Sequence, residues 1–303
     1  MIHVNTKTLS LVSISIASLV ASVASAHISY TNRNFGTVSR TATSINNQTA
    51  SSAFGWADAT DADWGDTHRT RFFRFTVGAD NTRVRITVAR NSLGTGATGT
   101  FLPAFSVFSG LAHTSSPLAH DGSALSVWWL QQQFGSGNGF GLGGSGKEGS
   151  LNALGSWAIG NSVSDTVIAP TDSLRAFTCV GHVADGTSAN FGGAAGIVGD
   201  GNADGVVTAT FLLAAGDYSL SVGGADYAAQ LSQTGPSFPT YGIDVSVVVE
   251  PAQPADLNGD GVVNGVDLGI LLAAWSSAGP GDLNGDGVVD GVDLGVLLGA
   301  WTA

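Results

Sequence analysis

The sequence predicts a mainly β protein: a β-sandwich domain followed by a small α-helical module. Glycine supplies 43 of the 303 residues and lies among Ser- and Thr-rich segments, a composition that favours many short strands and turns. Several segments before residue 250 alternate apolar and polar side chains with the period of a half-buried strand. After residue 255 this pattern stops and an internal repeat begins, so a second, different unit is expected there.

Composition excludes several classes of function. The chain has 11 Lys and Arg against 23 Asp and Glu, a net charge of -12, so it lacks the basic surface of a nucleic-acid-binding protein. With 43% hydrophobic residues and a mean hydropathy of +0.23, it is also too apolar for a charge-driven disordered chain. We therefore expect a globular protein without a nucleic-acid partner.

The N-terminus predicts export. Residues 1–26 contain Lys7, an apolar run over 11–23 and a small-residue cleavage site ending at Ala26, as in a signal peptide. The mature chain is expected to begin at His27, to carry no membrane span, and to be secreted or held at the cell surface. The single cysteine, Cys179, cannot form an internal disulfide and is expected to be an apolar residue of a strand.

Residues 27–250 are predicted to form the β-sandwich domain. Its clearest hairpin pairs 72–77 with 83–88, because Val84, Ile86 and Val88 alternate with polar residues. Further strands are expected over 104–109, 126–130, 156–159, 174–182, 205–213, 218–222 and 241–249. A Gly-rich loop near 134–150 interrupts them, and a Pro-containing linker over 251–255 ends the domain.

Two 12-residue segments in the C-terminal unit, 256–303, have the pattern of calcium loops. Loop one (256–267) recurs 26 residues later as loop two (282–293), and all seven acidic residues after Pro254 lie at ligand positions. A hard cation takes six to eight oxygens, which such loops supply from positions 1, 3, 5, 7, 9 and 12 around a glycine at position 6. The predicted metal ligands, in which valine contributes its carbonyl, are Asp256, Asn258, Asp260, Val262, Asn264 and Asp267, then Asp282, Asn284, Asp286, Val288, Asp290 and Asp293.

Each loop continues into an apolar segment, 268–275 or 294–301, predicted to be helical. The residues at helical spacing are expected to pack the two helices together: Leu268, Leu271, Leu272, Trp275, Leu294, Leu297, Leu298 and Trp301. Because so small an apolar core contributes little stability, folding of this unit is expected to be coupled to calcium binding.

The segment 256–301 resembles a type I dockerin, a paired EF-hand-type module that attaches extracellular carbohydrate-active enzymes to cohesin-bearing scaffolds. The resemblance implies two Ca²⁺ ions and a cohesin-like or other cell-surface docking protein as partner. The chain departs from the family at loop positions 10 and 11, where Gly265-Val266 and Gly291-Val292 replace the usual Ser/Thr pair, and neither helix carries Lys or Arg.

Weaker patterns leave alternatives open. The spacing of Asp200, Asn202 and Asp204 copies half a calcium loop, so a third ion there is an alternative to a simple turn. A free amine beside the imidazole of His27 resembles the histidine brace of copper-dependent polysaccharide monooxygenases. Residues 211–222 resemble the closing hairpin of non-catalytic β-sandwich domains of secreted bacterial proteases.

The combined prediction is a secreted, non-catalytic calcium-binding protein that acts in extracellular attachment or polysaccharide handling. The alternative is a glycoside hydrolase with a dockerin, although the mature chain has only two glutamates, Glu148 and Glu250, and no distinguished carboxylate pair. A remote alternative is a copper protein that uses His27.

Overall fold

The computed structural model describes residues 28–57, 64–112, 123–134, 149–160, 167–232, 238–250 and 253–302. Over these residues the protein is mainly β and contains several sheets, which confirms the coarse prediction. The predicted signal peptide and nearly all of the Gly-rich loop fall outside the described residues.

The described part of the chain contains twelve strands, and their bounds are as follows. They are β1 Asn34–Thr37, β2 Thr43–Ser51, β3 Trp64–Asp66, β4 Arg71–Val77, β5 Thr82–Gly94, β6 Pro103–Ser109, β7 Ser150–Asn152, β8 Trp157–Gly160, β9 Leu174–Ala184, β10 Val206–Leu213, β11 Gly216–Gly224 and β12 Thr240–Val249. The α-helices are α1 Ala124–Phe134, α2 Tyr227–Ser232, α3 Gly265–Ala273 and α4 Gly291–Gly299.

Two large sheets make up the β-domain. The six-stranded sheet has the order β1-β4-β11-β6-β9-β8, and all its pairs are antiparallel except β1 with β4. The four-stranded sheet has the order β10-β5-β12-β2 and is antiparallel throughout. β3 and β7 form a separate two-stranded sheet.

The two large sheets share one apolar core. Phe73 and Phe75 of β4 and Leu220 of β11 come from the six-stranded sheet, and Ile86 of β5 and Val245 of β12 come from the four-stranded sheet. All five side chains are completely buried. The alternation that the sequence shows in β5 therefore places one face of that strand in this core and the other in solvent.

A second core covers the opposite face of the six-stranded sheet. Trp157 of β8 stacks on Phe177 of β9 with ring centroids 4.5 Å apart, and Phe72 and Phe108 reach the same cluster from β4 and β6. Because this sheet is covered on both faces, its inner strands are buried almost continuously, as in β6, where only the last residue is exposed.

The predicted hairpin between 72–77 and 83–88 is wrong. Both strands exist, but β4 pairs with β1 and β11, whereas β5 pairs with β10 and β12 in the other sheet. The turn between them therefore crosses from one sheet to the other. The predicted closing hairpin over 211–222 is divided in the same way, since β10 and β11 also belong to different sheets.

One predicted strand is a helix. Residues 126–130 were expected to be extended and instead lie within α1. Leu130 is buried in the second core, whereas Trp128 is exposed. A short apolar run has the same composition in a buried strand and in a helix, so its periodicity cannot separate the two.

The C-terminal unit has a small core of its own. Ala255, Val263, Leu271, Val289 and Leu297 are its buried apolar residues. Each helix begins three residues before the predicted apolar segment and ends before its tryptophan. The predicted packing of the helices is thus only partly correct, because the side chains of Leu272, Trp275, Leu298 and Trp301 are exposed.

Candidate functional site

Both loops close onto the helix that follows them through a capping box. In loop one the Asn264 side chain accepts a hydrogen bond from the Val266 amide, and the Asp267 carboxylate accepts one from the Asn264 amide at 2.9 Å. Asp290 and Asp293 make the same pair of contacts in loop two. Each box satisfies amides at a helix N-terminus that would otherwise lack a partner.

The aspartate at position 12 is the centre of each loop. Asp267 Oδ1 accepts from the amides of Leu257 and Asn258 at 2.8 and 3.1 Å, and Asp293 repeats these contacts at 2.7 and 3.1 Å. Both side chains are completely buried. Burial alone raises the pKa of Asp267, but hydrogen bonds from four backbone amides, its own among them, together outweigh burial and hold that pKa below its ordinary value.

The side chains at positions 3 and 5 bond to each other. Asn258 Nδ2 donates to Asp260 Oδ2 at 2.7 Å, and the equivalent pair in loop two is 2.8 Å apart. In the part of the chain that the structure describes, no three His, Cys, Asp or Glu side chains converge as a metal site. A cation in either loop would therefore have to displace this amide–carboxylate bond.

Position 1 distinguishes the two loops, although their first eight residues are identical. Asp282 Oδ1 accepts from the amides of Gly285 and Asp286 at 2.8 and 3.1 Å. Asp256 Oδ1, by contrast, is buried without a hydrogen-bond partner. In both loops Oδ2 accepts from the position-6 glycine at 2.8 Å.

Loop one contacts the β-domain through Arg83 of β5. The Arg83 guanidinium donates to the Gly261 carbonyl and lies 3.6 Å from Asp256 Oδ2 and 3.7 Å from Glu250 Oε2. Sequence reasoning assigned Arg83 only to a strand, since nothing in its neighbourhood along the chain points to a loop more than 170 residues away. Glu250, considered above as one of the two glutamates of a possible hydrolase, forms ion pairs with Arg83 and Arg85.

The predicted weaker metal site lies in the connection before β10. Asp200 Oδ1 accepts from the backbone amides of Gly186 and Asn202 at 2.9 and 3.1 Å. The Asn202 side chain donates through Nδ2 to Asp204 Oδ2 at 2.7 Å. These contacts are those of a turn held by its own side chains.

Sequence reasoning missed Asp185, which organises this turn. Its carboxylate is completely buried and accepts from the amides of Asp204 and Gly205 at 3.0 and 2.7 Å. Burial is the main cause that raises the pKa of Asp185 to about 6; the nearby carboxylates of Asp200 and Asp204 contribute to this rise, and the two amide hydrogen bonds oppose it. No local motif marks Asp185, because its burial arises from strands distant in sequence.

Three other candidate residues have different outcomes. His27, the residue of the copper alternative, and Glu148 lie outside the described residues. Cys179 lies in β9 as a free, partly buried thiol, in agreement with the expected strand position. Burial raises the pKa of this thiol, which makes it a poor nucleophile.

No family model matches the chain, and no curated protein matches it. Several solved structures are similar, among them the following two. One is CorA of Methylomicrobium album BG8, described as a surface-associated copper-binding protein important in copper acquisition, with 12% identity, a TM-score of 0.42, and coverage of 74% of this chain and 99% of that one. The other is the secreted copper-binding protein MopE of Methylococcus capsulatus, with 13% identity, a TM-score of 0.39, and coverage of 72% and 87%.

The predicted function is corrected on these findings. The similar structures are described as copper-binding, not calcium-binding, and no metal cluster of His, Cys, Asp or Glu is present among the described residues. The prediction of a secreted calcium-binding attachment protein with Ca²⁺ as cofactor is therefore not retained.

Both descriptions place the similar proteins on the cell surface or outside the cell. Within the described ranges, no helix is long and apolar enough to cross a bilayer.

Proposed function

We propose that the chain is a β-sandwich domain joined to a dockerin-like paired-loop module, and that the module docks the chain onto a cohesin-like partner protein. The carrying observation is a set of exposed apolar side chains at equivalent positions of both repeats. Val266 and Val292 are 56% and 57% exposed, and Leu272 and Leu298 are 51% and 53% exposed. The valines at position 7 of each loop and the tryptophans that follow the helices are also exposed at matching positions: Val262, Val288, Trp275 and Trp301.

Exposed apolar groups that recur in this way support a docking surface, because large areas of exposed apolar surface mark sites of interaction with other proteins. The helices add no charge to this surface. Their only acidic side chains, Asp267 and Asp293, are buried, and neither helix has a basic residue. The partner should therefore present a face with little charge, since an ion buried against apolar side chains has no counter-ion.

Docking can be tested by biolayer interferometry of the mature chain against a panel of recombinant type I cohesin domains. Binding by one or more of these domains, weakened at least tenfold in the Val266→Lys/Val292→Lys variant, is the expected result. Val198→Lys is the matched control, because Val198 is also 56% exposed but lies on the β-domain. Absence of binding to every cohesin, or equal binding by the variant, would overturn the proposal.

We further propose that the twelve predicted ligand positions hold cations through oxygen, with no particular ion assigned. The buried, unpartnered Oδ1 of Asp256 supports this proposal, since a carboxylate oxygen in that state is costly unless a positive group completes it. Its side chain is only 5% exposed.

Terbium luminescence, sensitised by Trp275 or Trp301, would measure binding of a hard cation, and a parallel titration with Cu²⁺ would measure binding of copper. The test variant is Asp260→Asn/Asp286→Asn, because asparagine can still accept the bond from the position-7 amide that each aspartate now accepts. Asp172→Asn, in a turn of the β-domain, is the control. Terbium binding that falls only in the test variant supports the proposal. Loop-dependent Cu²⁺ binding would equally support it. Absence of binding by both ions, or binding that does not depend on the loops, contradicts it.

A further inference from the structure

The two loops hydrogen-bond differently at position 1, although their sequences differ only at position 9, where Asn264 stands in loop one and Asp290 in loop two. Residues 256–263 and 282–289 are identical, yet Asp282 Oδ1 is capped by two backbone amides and Asp256 Oδ1 by none. Asn264 and Asp290 make equivalent contacts: each accepts from the amide two residues later, and the amide of each donates to the aspartate at position 12. The difference at position 1 therefore points to what surrounds each loop.

Loop one is in contact with the β-domain through Arg83. The Arg83 side chain is 10% exposed, and its guanidinium reaches both the Gly261 carbonyl and Asp256 Oδ2. The fit is close, because a Cβ added at Gly261 would lie 2.9 Å from Arg83 Nη1. No described residue of the β-domain makes an ion pair with a loop-two aspartate.

The junction also contains unsatisfied polar atoms. Arg83 Nε, Gln253 Oε1 and Asp256 Oδ1 are buried without hydrogen-bond partners. All three residues line one cavity of about 330 Å³ between the strand and the loop. Two of these atoms are acceptors, so the junction favours a group that can supply positive charge or protons to them.

We propose that Arg83 is a positioning residue that makes the two loops inequivalent. It holds Asp256 and the Gly261 carbonyl from the side of the β-domain, and it thereby keeps Asp256 Oδ1 free of backbone donors. The effect of Arg83 on cation affinity rests on the proposed cation function, whereas its effect on the conformation of Asp256 does not. A cation entering loop one finds a free carboxylate oxygen, whereas in loop two it must first displace two amide hydrogen bonds.

The guanidinium charge opposes a nearby cation, but Glu250 partly neutralises it from 3.7 Å. Some residues orient a metal ligand by hydrogen-bonding to it without contacting the metal. Removing such a residue typically lowers metal affinity by about 10- to 100-fold. In the intact chain, loop one should therefore bind a cation more tightly than loop two, and this difference in affinity depends on the β-domain.

The structural part can be tested without any cation, by amide hydrogen exchange measured by NMR on the full mature chain. In the wild type, the Gly259 amide should exchange faster than the Gly285 amide, which bonds to Asp282. The next amide in each loop is a poorer probe, because Asp260 and Asp286 both bond to the asparagine at position 3. Arg83→Met keeps an unbranched apolar stem and removes the donors, and in this variant the two loops should exchange alike. If the difference between the loops persists in Arg83→Met, Arg83 is not its cause and the inference fails.

The functional part is tested by terbium titration of the same proteins. Arg83→Met should weaken the tighter site about tenfold or more and leave the weaker site unchanged. Arg83→Lys, which keeps the charge but loses the planar guanidinium with its several donors, should also weaken the tighter site. Arg85→Gln is the control, because Arg85 is 51% exposed and pairs with Glu250 rather than with the loop.

Unchanged or tighter terbium binding in Arg83→Met would overturn the positioning role. If terbium binds neither loop, the cation proposal fails, while the exchange experiment still decides whether Arg83 sets the conformation of Asp256.

Discussion

Trp56 donates its indole N–H to Ser106 Oγ at 2.9 Å inside the second core of the β-domain. Ser106 in turn donates to the Ala153 carbonyl at 2.6 Å, and both side chains are completely buried. Ser106 therefore satisfies two buried polar groups that have no access to water.

Ser106→Ala should destabilise the β-domain by about 1–3 kcal/mol, because the indole N–H and the carbonyl would lose their common partner. Chemical denaturation followed by tryptophan fluorescence measures this change. Ser109→Ala, at the exposed end of the same strand, should change stability by less than about 0.5 kcal/mol. Equal effects of the two substitutions would show that the buried hydrogen bonds contribute little.

Asp185 should make stability fall as the pH rises. Its folded pKa of about 6 lies above the ordinary value of 3.8, so its stabilising contribution is complete below 3.8 and is lost as the pH rises through 6. As the pH rises from 4 to 7, the melting temperature of the wild type should therefore fall relative to that of Asp185→Asn. A difference that is constant over this range, or that matches the behaviour of Asp172→Asn, would contradict the prediction.

The capping boxes should stabilise the C-terminal helices. Asp290→Ala removes the side chain that accepts from the Val292 amide, and it should lower the stability of the C-terminal unit by about 1 kcal/mol. Asp290→Asn can retain this bond and should cost much less. Denaturation monitored by circular dichroism of the full chain distinguishes the two variants, and similar losses in both would rule out the cap as the cause.

Leu271 and Leu272 are neighbours in α3 with opposite environments. Leu271 is completely buried, whereas Leu272 is 51% exposed. Leu271→Ala should destabilise the C-terminal unit by about 2–5 kcal/mol, and Leu272→Ala should change it by less than about 0.5 kcal/mol. Circular dichroism during urea denaturation provides the measurement. A large effect of Leu272→Ala would mean that its side chain is covered in solution.

Local sequence patterns located most strands but not their partners. The alternation in β5 and the apolar run in β12 are visible in the chain, and both strands were predicted. Their pairing joins Val88 to Val245, and neither residue carries information about the other. The β4–β5 hairpin was wrong for this reason, because two adjacent strands also fit a turn that crosses between sheets. β2 was missed because it is a polar edge strand with one buried residue.

The C-terminal unit was easier to predict in its local structure than in its packing. The spacing of Asn264 and Asp267 identifies a cap, although it was interpreted only as a ligand pattern. Which leucines are buried depends on how the two repeats meet, and the repeat pattern alone assigned too many of them to the core. Arg83 and Asp185 acquire their roles only through tertiary contacts, so neither could be identified from the chain.

The position of the last strand has a consequence for the order of folding. β12 lies inside the four-stranded sheet, between β5 and β2, although it is the final strand of the β-domain. Its partners β5 and β2 were synthesised about 150 and about 200 residues earlier, as the pairing of Val245 with Val88 and with Ile45 illustrates. The sheet cannot close until residue 249 is available, so we expect slow folding dominated by long-range contacts. A chain truncated before β12 should leave β2 and β5 with unpaired edges and aggregate, whereas one truncated after it should lose only the C-terminal unit.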